Sequence, residues 1–443
     1  MEPAACRTTT DAALLERLAE ARSLSDQIFA VVKPEGLYDR PIPERHRIIF
    51  YLGHLEAFDW NLLNGRLFDL PPLAPAFETL FAFGIDPVGG GLPSDQPKDW
   101  PAREEIEAYN RRVRETLDER LAALDESSER QREAAQLLHV AIEHRLMHVE
   151  TLSYMLHQLS IDRKYRREGR PAPAAAALSG PPHSIRIPKG NATLGLRRSG
   201  DGPFGWDNEF DEHSEFVPAF LIDERKVTNG EFLRFHKAGG YQERSFWSDE
   251  DWNWIVASGT THPAFWVRRD NRWFQRAMFD ELPLPADWPV YVSHAEASAY
   301  TKWAGLQLPS EAEFHRAAYA TPQGIEHAFP WGDQPPDASR GNFDFERWDA
   351  APTGAFTAGR SAYGVADLIG NGWEWTRTVF APFEGFEQFP CYPGYSANFF
   401  DGKHYVLKGG SARTARCMLR RSFRNWFQPH YPFIYSGFRC VEH

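Results

Sequence analysis

The chain has 443 residues, of which 42% are hydrophobic and 25% charged, so it is neither collagen-like nor largely disordered. At about 150 residues per domain, this length predicts two or three domains. Lys and Arg total 49 against 61 Asp and Glu, which gives a net charge of −12. An acidic surface repels phosphate groups, so we expect no nucleic-acid partner and no binding to anionic membranes.

Cysteine use and the N-terminal sequence indicate a cytoplasmic protein. The four cysteines, Cys6, Cys391, Cys417 and Cys440, form no CxxC pair and predict neither a disulfide framework nor a cysteine zinc site. The first residues lack an apolar segment behind a basic start, and no run of 18 apolar residues occurs.

The first 165 residues predict a helical bundle. Apolar residues recur at three- and four-residue spacing in four stretches, 11–34, 44–66, 103–125 and 129–159. Four amphipathic helices favour a four-helix bundle over residues 1–165. The Gly- and Pro-rich segments 71–75 and 86–101 predict long connections.

The composition changes after the bundle. Residues 166–190 hold a basic patch followed by Pro, Ala and Gly, which predicts a linker. Residues 191–443 contain most of the 15 tryptophans and predict a mixed domain rich in loops, so the fold class is α+β with two domains. Its predicted elements include strands at 216–222 and 404–407 and helices at 293–304 and 310–319.

Three histidines of the bundle could hold a metal ion. His144 and His148 are four residues apart in one predicted helix, so both imidazoles project from one face. An antiparallel bundle can place His54 of another helix beside them. Three neutral imidazoles with open coordination positions suit Fe(II), Zn(II) or a similar ion.

The same pattern has a plainer explanation, because an HxxxH pair alone also fits ordinary core or surface histidines. Competing histidines are His46, His139 and His157. Carboxylates on the same helices are candidate acceptors for the imidazole N–H groups, namely Glu56, Asp59, Glu143 and Glu150.

Motifs in both halves resemble known families. The segments RHRIIFYLGHLEAFDW and EHRLMHVET resemble a DinB-type four-helix bundle. Later segments are similar to the formylglycine-generating enzyme, or sulfatase-modifying factor, fold, which is C-type-lectin-like. In chain order they are FLIDERKVTNGEFLRF, YVSHAEASAYTKWAGLQLPSEAEF, FPWGD, YGVADLIGNGWEWT, VLKGGS and SGFRCV.

This combination resembles the ergothioneine-biosynthesis sulfoxide synthases and their relatives, the selenoneine synthases. FGWDNEFDEH and RNWFQP extend the resemblance. It implies a nonheme Fe(II) enzyme that uses O2 to join C2 of the hercynine imidazole to sulfur or selenium of a co-substrate. It also implies that His54, His144 and His148 are the iron ligands and that the C-terminal domain completes the active site.

The resemblance extends to residues that bind substrate. Asn425 and Trp426 match the family's C-terminal substrate motif, and Phe427 stands where members that recognise a gamma-glutamyl amino acid carry aspartate. The 86–101 segment offers Lys98 where those members carry an arginine pair. Both differences favour cysteine or a selenosugar over gamma-glutamylcysteine as the donor, with Lys98 a candidate substrate contact.

Tyr392 and Tyr395 lie in the C-terminal region where the family's catalytic tyrosine is expected, so they are the candidate proton donors. Trp373 and Trp375 belong to motifs of the fold, and we interpret them as core residues.

Other functions stay open at this point. In a formylglycine-generating oxidase, the two copper-binding cysteine positions would fall on Thr414 and Leu419, which argues against that reaction. A zinc-dependent thiol transferase or hydrolase could use the same three histidines. A noncatalytic ligand-binding module would not need them.

Overall fold

The structure, a computed structural model, describes residues 8–82, 93–124, 128–173, 183–199 and 202–443. The chain divides into two compact units, Met1–Arg167 and Glu168–His443. The first unit is helical, and the second combines small sheets, short helices and irregular segments, which confirms the predicted α+β class. Within the described ranges, no helix has both the length and the apolar character that a membrane crossing requires.

The helices of the first unit form the predicted bundle. In the described part of this unit they are α1 (Thr8–Phe29), α2 (Ile48–Leu63), α3 (Pro75–Leu80), α4 (Arg103–Ala122) and α5 (Ser128–Gln158). Helix α1 packs on α5, and α2 packs on both α4 and α5. The short helix α3 was not predicted.

The two largest differences between the predicted and observed helix ends are at the end of α1 and the start of α2. Helix α1 ends at Phe29 rather than residue 34, because the turn Pro34–Gly36 follows and the residue before a proline avoids helical backbone. Helix α2 begins at Ile48 rather than residue 44. The Ile48 N–H bonds to the carbonyl oxygen of Asp39 in the preceding loop (3.2 Å), so the loop supplies a partner for the first turn.

Helix α2 lies at the centre of the first unit. Its large side chains are buried: Phe50, Tyr51 and Trp60 each expose at most 1% of their surface. A helix that is apolar around its circumference is a core helix, and polar side chains within it need partners inside the protein. This requirement governs the histidine and carboxylates that α2 carries.

The second unit contains helices α6 (Asn229–Lys237), α7 (Asp249–Ser258), α8 (His294–Ala304) and α9 (Glu311–Tyr319). The last two confirm the helices predicted there. Each follows a serine N-cap, Ser293 or Ser310, whose hydroxyl accepts the N–H of a glutamate three residues later.

The strands of the second unit are β1 (Ser184–Ile187), β2 (Gly190–Leu194), β3 (His213–Val217), β4 (Phe220–Asp223), β5 (Trp266–Arg269), β6 (Arg272–Arg276), β7 (Glu281–Pro283), β8 (Trp373–Val379), β9 (Tyr405–Lys408), β10 (Asn425–Phe427), β11 (Ser436–Gly437) and β12 (Val441–Glu442). In the described ranges they form sheets of order β1-β4-β12, β10-β9-β8-β11, β2-β3 and β5-β6-β7. The strand predicted at 216–222 is divided into β3 and β4, because Pro218 between them has no N–H for a ladder.

Buried ion pairs stabilise the irregular part of the second unit. Arg439 donates to both carboxylate oxygens of Glu374 on β8 (2.6 and 2.7 Å), and the Lys226 ammonium lies 3.1 Å from the same carboxylate. All three residues are fully buried. These bonds fix β8 against neighbouring loops, beside a core that includes Phe314 and Leu368.

Candidate functional site

Three histidine side chains converge inside the first unit. His54 projects from α2, and His144 and His148 project from one face of α5. The Nε2 atom of His148 lies 3.3 Å from Nε2 of His54 and 3.1 Å from Nε2 of His144. Over the described residues, this is the one place where three or more possible metal-ligating side chains of His, Cys, Asp or Glu come together.

The spacing of these nitrogens suits a metal ion. Two nitrogen ligands held about 2.1 Å from one ion at near right angles lie about 3 Å apart. An imidazole nitrogen has either one proton or one lone pair, so His148 Nε2 can make only one of its two nitrogen contacts as a hydrogen bond. A shared metal ion accounts for both contacts at once.

The orientation of His54 is fixed by a backbone carbonyl. Its Nδ1 donates to the carbonyl oxygen of Phe81, just after α3, at 2.7 Å. A carbonyl can only accept, so the lone pair of His54 is on Nε2 and faces the other two histidines. Gly53 permits this arrangement, because a Cβ there would lie 2.4 Å from the Phe81 ring.

Burial keeps the three imidazoles neutral. It lowers the pKa of His54 to about 4, against a partly opposing effect of the Phe81 hydrogen bond. Burial, with smaller effects from neighbouring positive groups, also lowers the pKa of His144 and of His148 well below the ordinary value. Neutral imidazoles are the form that binds a metal ion.

Aromatic rings hold the histidines in place. Phe58 stacks on His144 with ring centroids 3.5 Å apart, and Phe50 stacks on His54 at 4.9 Å. The competing candidate His46 stacks on the other side of Phe50, at 4.1 Å, and is not part of the cluster.

A buried group of charges lies beside the cluster. Arg145, one residue after His144, donates to Glu56 (2.9 Å) and Asp59 (2.6 Å) of α2. Burial acts to raise the pKa of Glu56, but Arg145 and Arg114 outweigh it and hold the value at about 2. The carboxylates of Glu56 and Asp59 thus bind arginine, and the prediction that they accept from the ligand histidines is wrong for these two.

Sequence reasoning missed Phe81 and Arg145. The carbonyl of Phe81 acts through the backbone, so its side chain carries no signal. Two signals were available: a glycine in the middle of an apolar helix, at Gly53, and a charged residue next to a buried histidine, at Arg145.

In the second unit, the structure brings Tyr392, Tyr395 and Trp426 together. Tyr395 stacks on Trp206 (3.9 Å, 20°) and meets Trp426 edge-on (5.3 Å, 83°). Tyr392 contacts Trp206 edge-on at 6.4 Å and is half-buried. Trp426 also stacks on Phe380 at 4.3 Å. The result is an aromatic cluster.

The other predicted substrate residues point elsewhere. Successive side chains of a strand alternate, so Asn425 and Phe427 lie on the face of β10 opposite Trp426. The Asn425 side-chain oxygen accepts the Trp426 N–H (2.9 Å), and Phe427 stacks on Tyr431 at 5.5 Å. In the first unit, Lys98 is exposed in the turn Pro97–Asp99.

Residues interpreted as structural are buried. Trp375 is fully buried and its indole N–H donates to the Val292 carbonyl oxygen (2.8 Å), and Trp373 is 3% exposed. Thr414 and Leu419, which stand at the two cysteine positions of a copper oxidase, are also buried and supply no thiolate.

Comparison with known proteins matches both units to described families. Residues 170–443 match the sulfatase-modifying factor enzyme 1-like domain, and residues 17–152 match the DinB superfamily. A hercynine oxygenase of Mycolicibacterium smegmatis is 36% identical over 315 residues, which are 68% of this chain and 70% of that protein.

Two further relatives match over different spans. A hercynine oxygenase of Mycobacterium tuberculosis is 40% identical over 244 residues, 54% of this chain and 56% of that protein. Ergothioneine biosynthesis protein 1 of Neurospora crassa is 29% identical over 487 residues, 92% of this chain and 55% of that protein. The match thus spans little more than half the length of these two relatives.

Proposed function

We propose that this chain, which belongs to the sulfatase-modifying factor family in the group that also carries a DinB region, is a nonheme Fe(II) enzyme. In the proposed reaction, O2 drives the joining of C2 of the hercynine imidazole to sulfur or selenium of a co-substrate. The family resemblance drawn from the motifs is confirmed.

The convergence of His54, His144 and His148 carries this proposal. These three neutral nitrogens would hold the ion, and three protein ligands would leave coordination positions for reactants. Iron bound there would supply open coordination sites and redox capacity for O2 and the chalcogen donor. The Phe81 carbonyl and the flanking phenylalanines hold the imidazoles in the orientation that this requires.

Hercynine as substrate is supported by the names of two relatives and by the chemistry of the aromatic cluster. A trimethylammonium group cannot donate an ordinary hydrogen bond, and aromatic faces attract it. Trp426 is half-buried, stacks on Phe380 and meets Tyr395 edge-on, and we propose that its ring contacts this cation. Tyr395 or Tyr392 is the proposed proton donor.

The proposed donor is cysteine or a selenosugar rather than gamma-glutamylcysteine. Phe427 provides no carboxylate for the amine of a gamma-glutamyl group. Lys98 is the basic residue of the 86–101 segment, and one exposed ammonium is a weak match for a dianion.

The test is aerobic incubation of Fe(II)-loaded protein with hercynine and, separately, cysteine, gamma-glutamylcysteine and a selenosugar, followed by product masses and oxygen uptake. We expect oxygen-dependent coupling with cysteine or the selenosugar. Zinc retention with thiol transfer and no oxygen uptake would instead establish the zinc-dependent alternative, because three histidines also suit zinc.

A further inference from the structure

The segment Trp206–Glu209 is buried in the second unit, and the proposed function gives it no role. Trp206, Asp207, Asn208 and Glu209 are each 0% exposed, although three of the four are polar or charged. Burial also raises the pKa of the Asp207 carboxyl. Burying polar and charged groups costs free energy unless hydrogen bonds compensate for it. The partners of these hydrogen bonds therefore indicate what the segment holds in place.

The first half of this segment holds the candidate tyrosines. Trp206 stacks on Tyr395 (3.9 Å) and contacts Tyr392 edge-on. The Ser396 hydroxyl donates to Asp207 Oδ1 at 2.6 Å, and Ser396 is fully buried. Since Ser396 directly follows Tyr395, this bond fixes the backbone beside that ring.

The second half holds the chain that leads into β10. Arg424, the residue before β10, donates through Nη1 to the carbonyl oxygen of Asn208 (3.3 Å). Glu209 accepts from Arg420 Nε (2.8 Å) and from the Ser422 hydroxyl (2.6 Å). One four-residue segment is therefore hydrogen-bonded both to Ser396, which follows Tyr395, and to the residues that lead into the strand of Trp426.

We propose that Trp206–Glu209 is a positioning element that sets residues 389–396 against Trp426, with Asp207 as its main positioning residue. The expected loss in kcat rests on the proposed function, whereas the expected loosening of residues 389–396 does not. When the bond between Asp207 and Ser396 is lost, the tyrosine hydroxyl is no longer held in one place. This lowers kcat more than it raises the KM for hercynine, because binding to Trp426 persists.

The kinetic test compares Asp207→Leu and Ser396→Ala with Asp223→Leu. Asp223 is a matched control, since it is also a buried acid of the second unit, with a pKa raised by burial to about 6, but it accepts the Cys440 N–H instead. We expect a loss in kcat of about 10- to 100-fold for the first two variants, with the KM for hercynine changed less than about threefold. Asp223→Leu should keep its kcat in the fraction that folds.

Asp207→Leu is then combined with Tyr395→Phe and, separately, with Tyr392→Phe. A positioning residue has nothing left to position once the acting hydroxyl is gone. Asp207→Leu should therefore cause no further loss in one of these backgrounds. An equal fold loss in wild type and in both backgrounds would overturn the inference.

Hydrogen exchange of the full chain without substrate gives a readout that does not need activity. We expect faster exchange over 389–396 in Asp207→Leu and unchanged exchange over α5. If this pattern is found while wild type couples hercynine to no donor, the positioning role stands and the proposed function fails. Unchanged exchange over 389–396 would overturn the positioning role even in an active enzyme.

Discussion

The histidine cluster of the first unit and the aromatic cluster of the second are assembled by different means. His144 and His148 need only a regular helix to share a face, and one packed helix adds His54. Tyr395 and Trp426 come from an irregular segment and a three-residue strand, and a third segment is hydrogen-bonded to the chain close to each of them. Changes to the first cluster should therefore remove function outright, and changes to the second should weaken it by degrees.

The largest expected effect is loss of a histidine of the cluster. His148→Ala should lower turnover at least about 1,000-fold and abolish tight metal binding, because two nitrogens cannot replace three. Steady-state rates and metal content after dialysis measure this. His139→Ala is the matched control on the same helix, outside the cluster. Wild-type turnover in His148→Ala would show that the histidine cluster is not needed for activity.

Next in size is the loss of one fully buried arginine, Arg145 in the first unit or Arg439 in the second. Arg145→Met leaves Glu56 and Asp59 without their shared cation and should cost about 3–5 kcal/mol of unfolding free energy. It should also weaken metal binding, since the carboxylates join α2 to α5. Arg439→Met, which leaves Glu374 in the second unit with Lys226 as its remaining cation, should cost a similar amount and leave metal affinity unchanged. Urea denaturation and metal titration check both; equal metal affinities in the two variants would contradict this prediction.

Acid should destabilise the metal-free protein through its buried histidines. The pKa of His54 is about 4 in the folded state and 6.5 as the ordinary value, so the unfolded chain binds more protons between these values. The contribution of His54 to the unfolding free energy is fully present above pH 6.5. It falls by about 3 kcal/mol as the pH drops towards 4.

Urea denaturation at pH 7.5, 5.5 and 4.5 measures this loss of unfolding free energy. His54→Asn, which keeps a donor for the Phe81 carbonyl, should reduce the pH dependence. In the second unit, burial gives His294 a pKa of about 4 as well, so His294→Asn should reduce it similarly. Added Zn(II) should protect against the acid loss due to His54 and not against that due to His294. Equal protection of both would show that the metal is not bound at the cluster.

The smallest expected effect is the loss of the Trp426 ring. Trp426→Leu should raise the KM for hercynine about tenfold, the value of one cation–π contact, and leave metal binding unchanged. Phe427→Leu, on the other face of β10, should change that KM much less. Steady-state rates over a range of hercynine concentrations measure both KM values, and equal increases in the two variants would show that hercynine does not distinguish the two faces of β10.

These differences also explain what the sequence could predict. Helical periodicity placed α2, α4 and α5 and put His144 beside His148, because regular geometry turns spacing into distance. It could not show that Glu56 and Asp59 bind Arg145, since that depends on the rotation of α2 against α5. Nor could it place Tyr395 on Trp206, because both lie in irregular chain whose position is set by contacts distant in sequence.

The most direct test of the central claim is anomalous diffraction at the iron edge from crystals grown anaerobically with Fe(II). We expect one peak per chain, about 2.1 Å from the Nε2 atoms of His54, His144 and His148. A peak bound elsewhere, or iron-loaded protein whose three imidazoles bond to each other with no metal between them, would contradict the account.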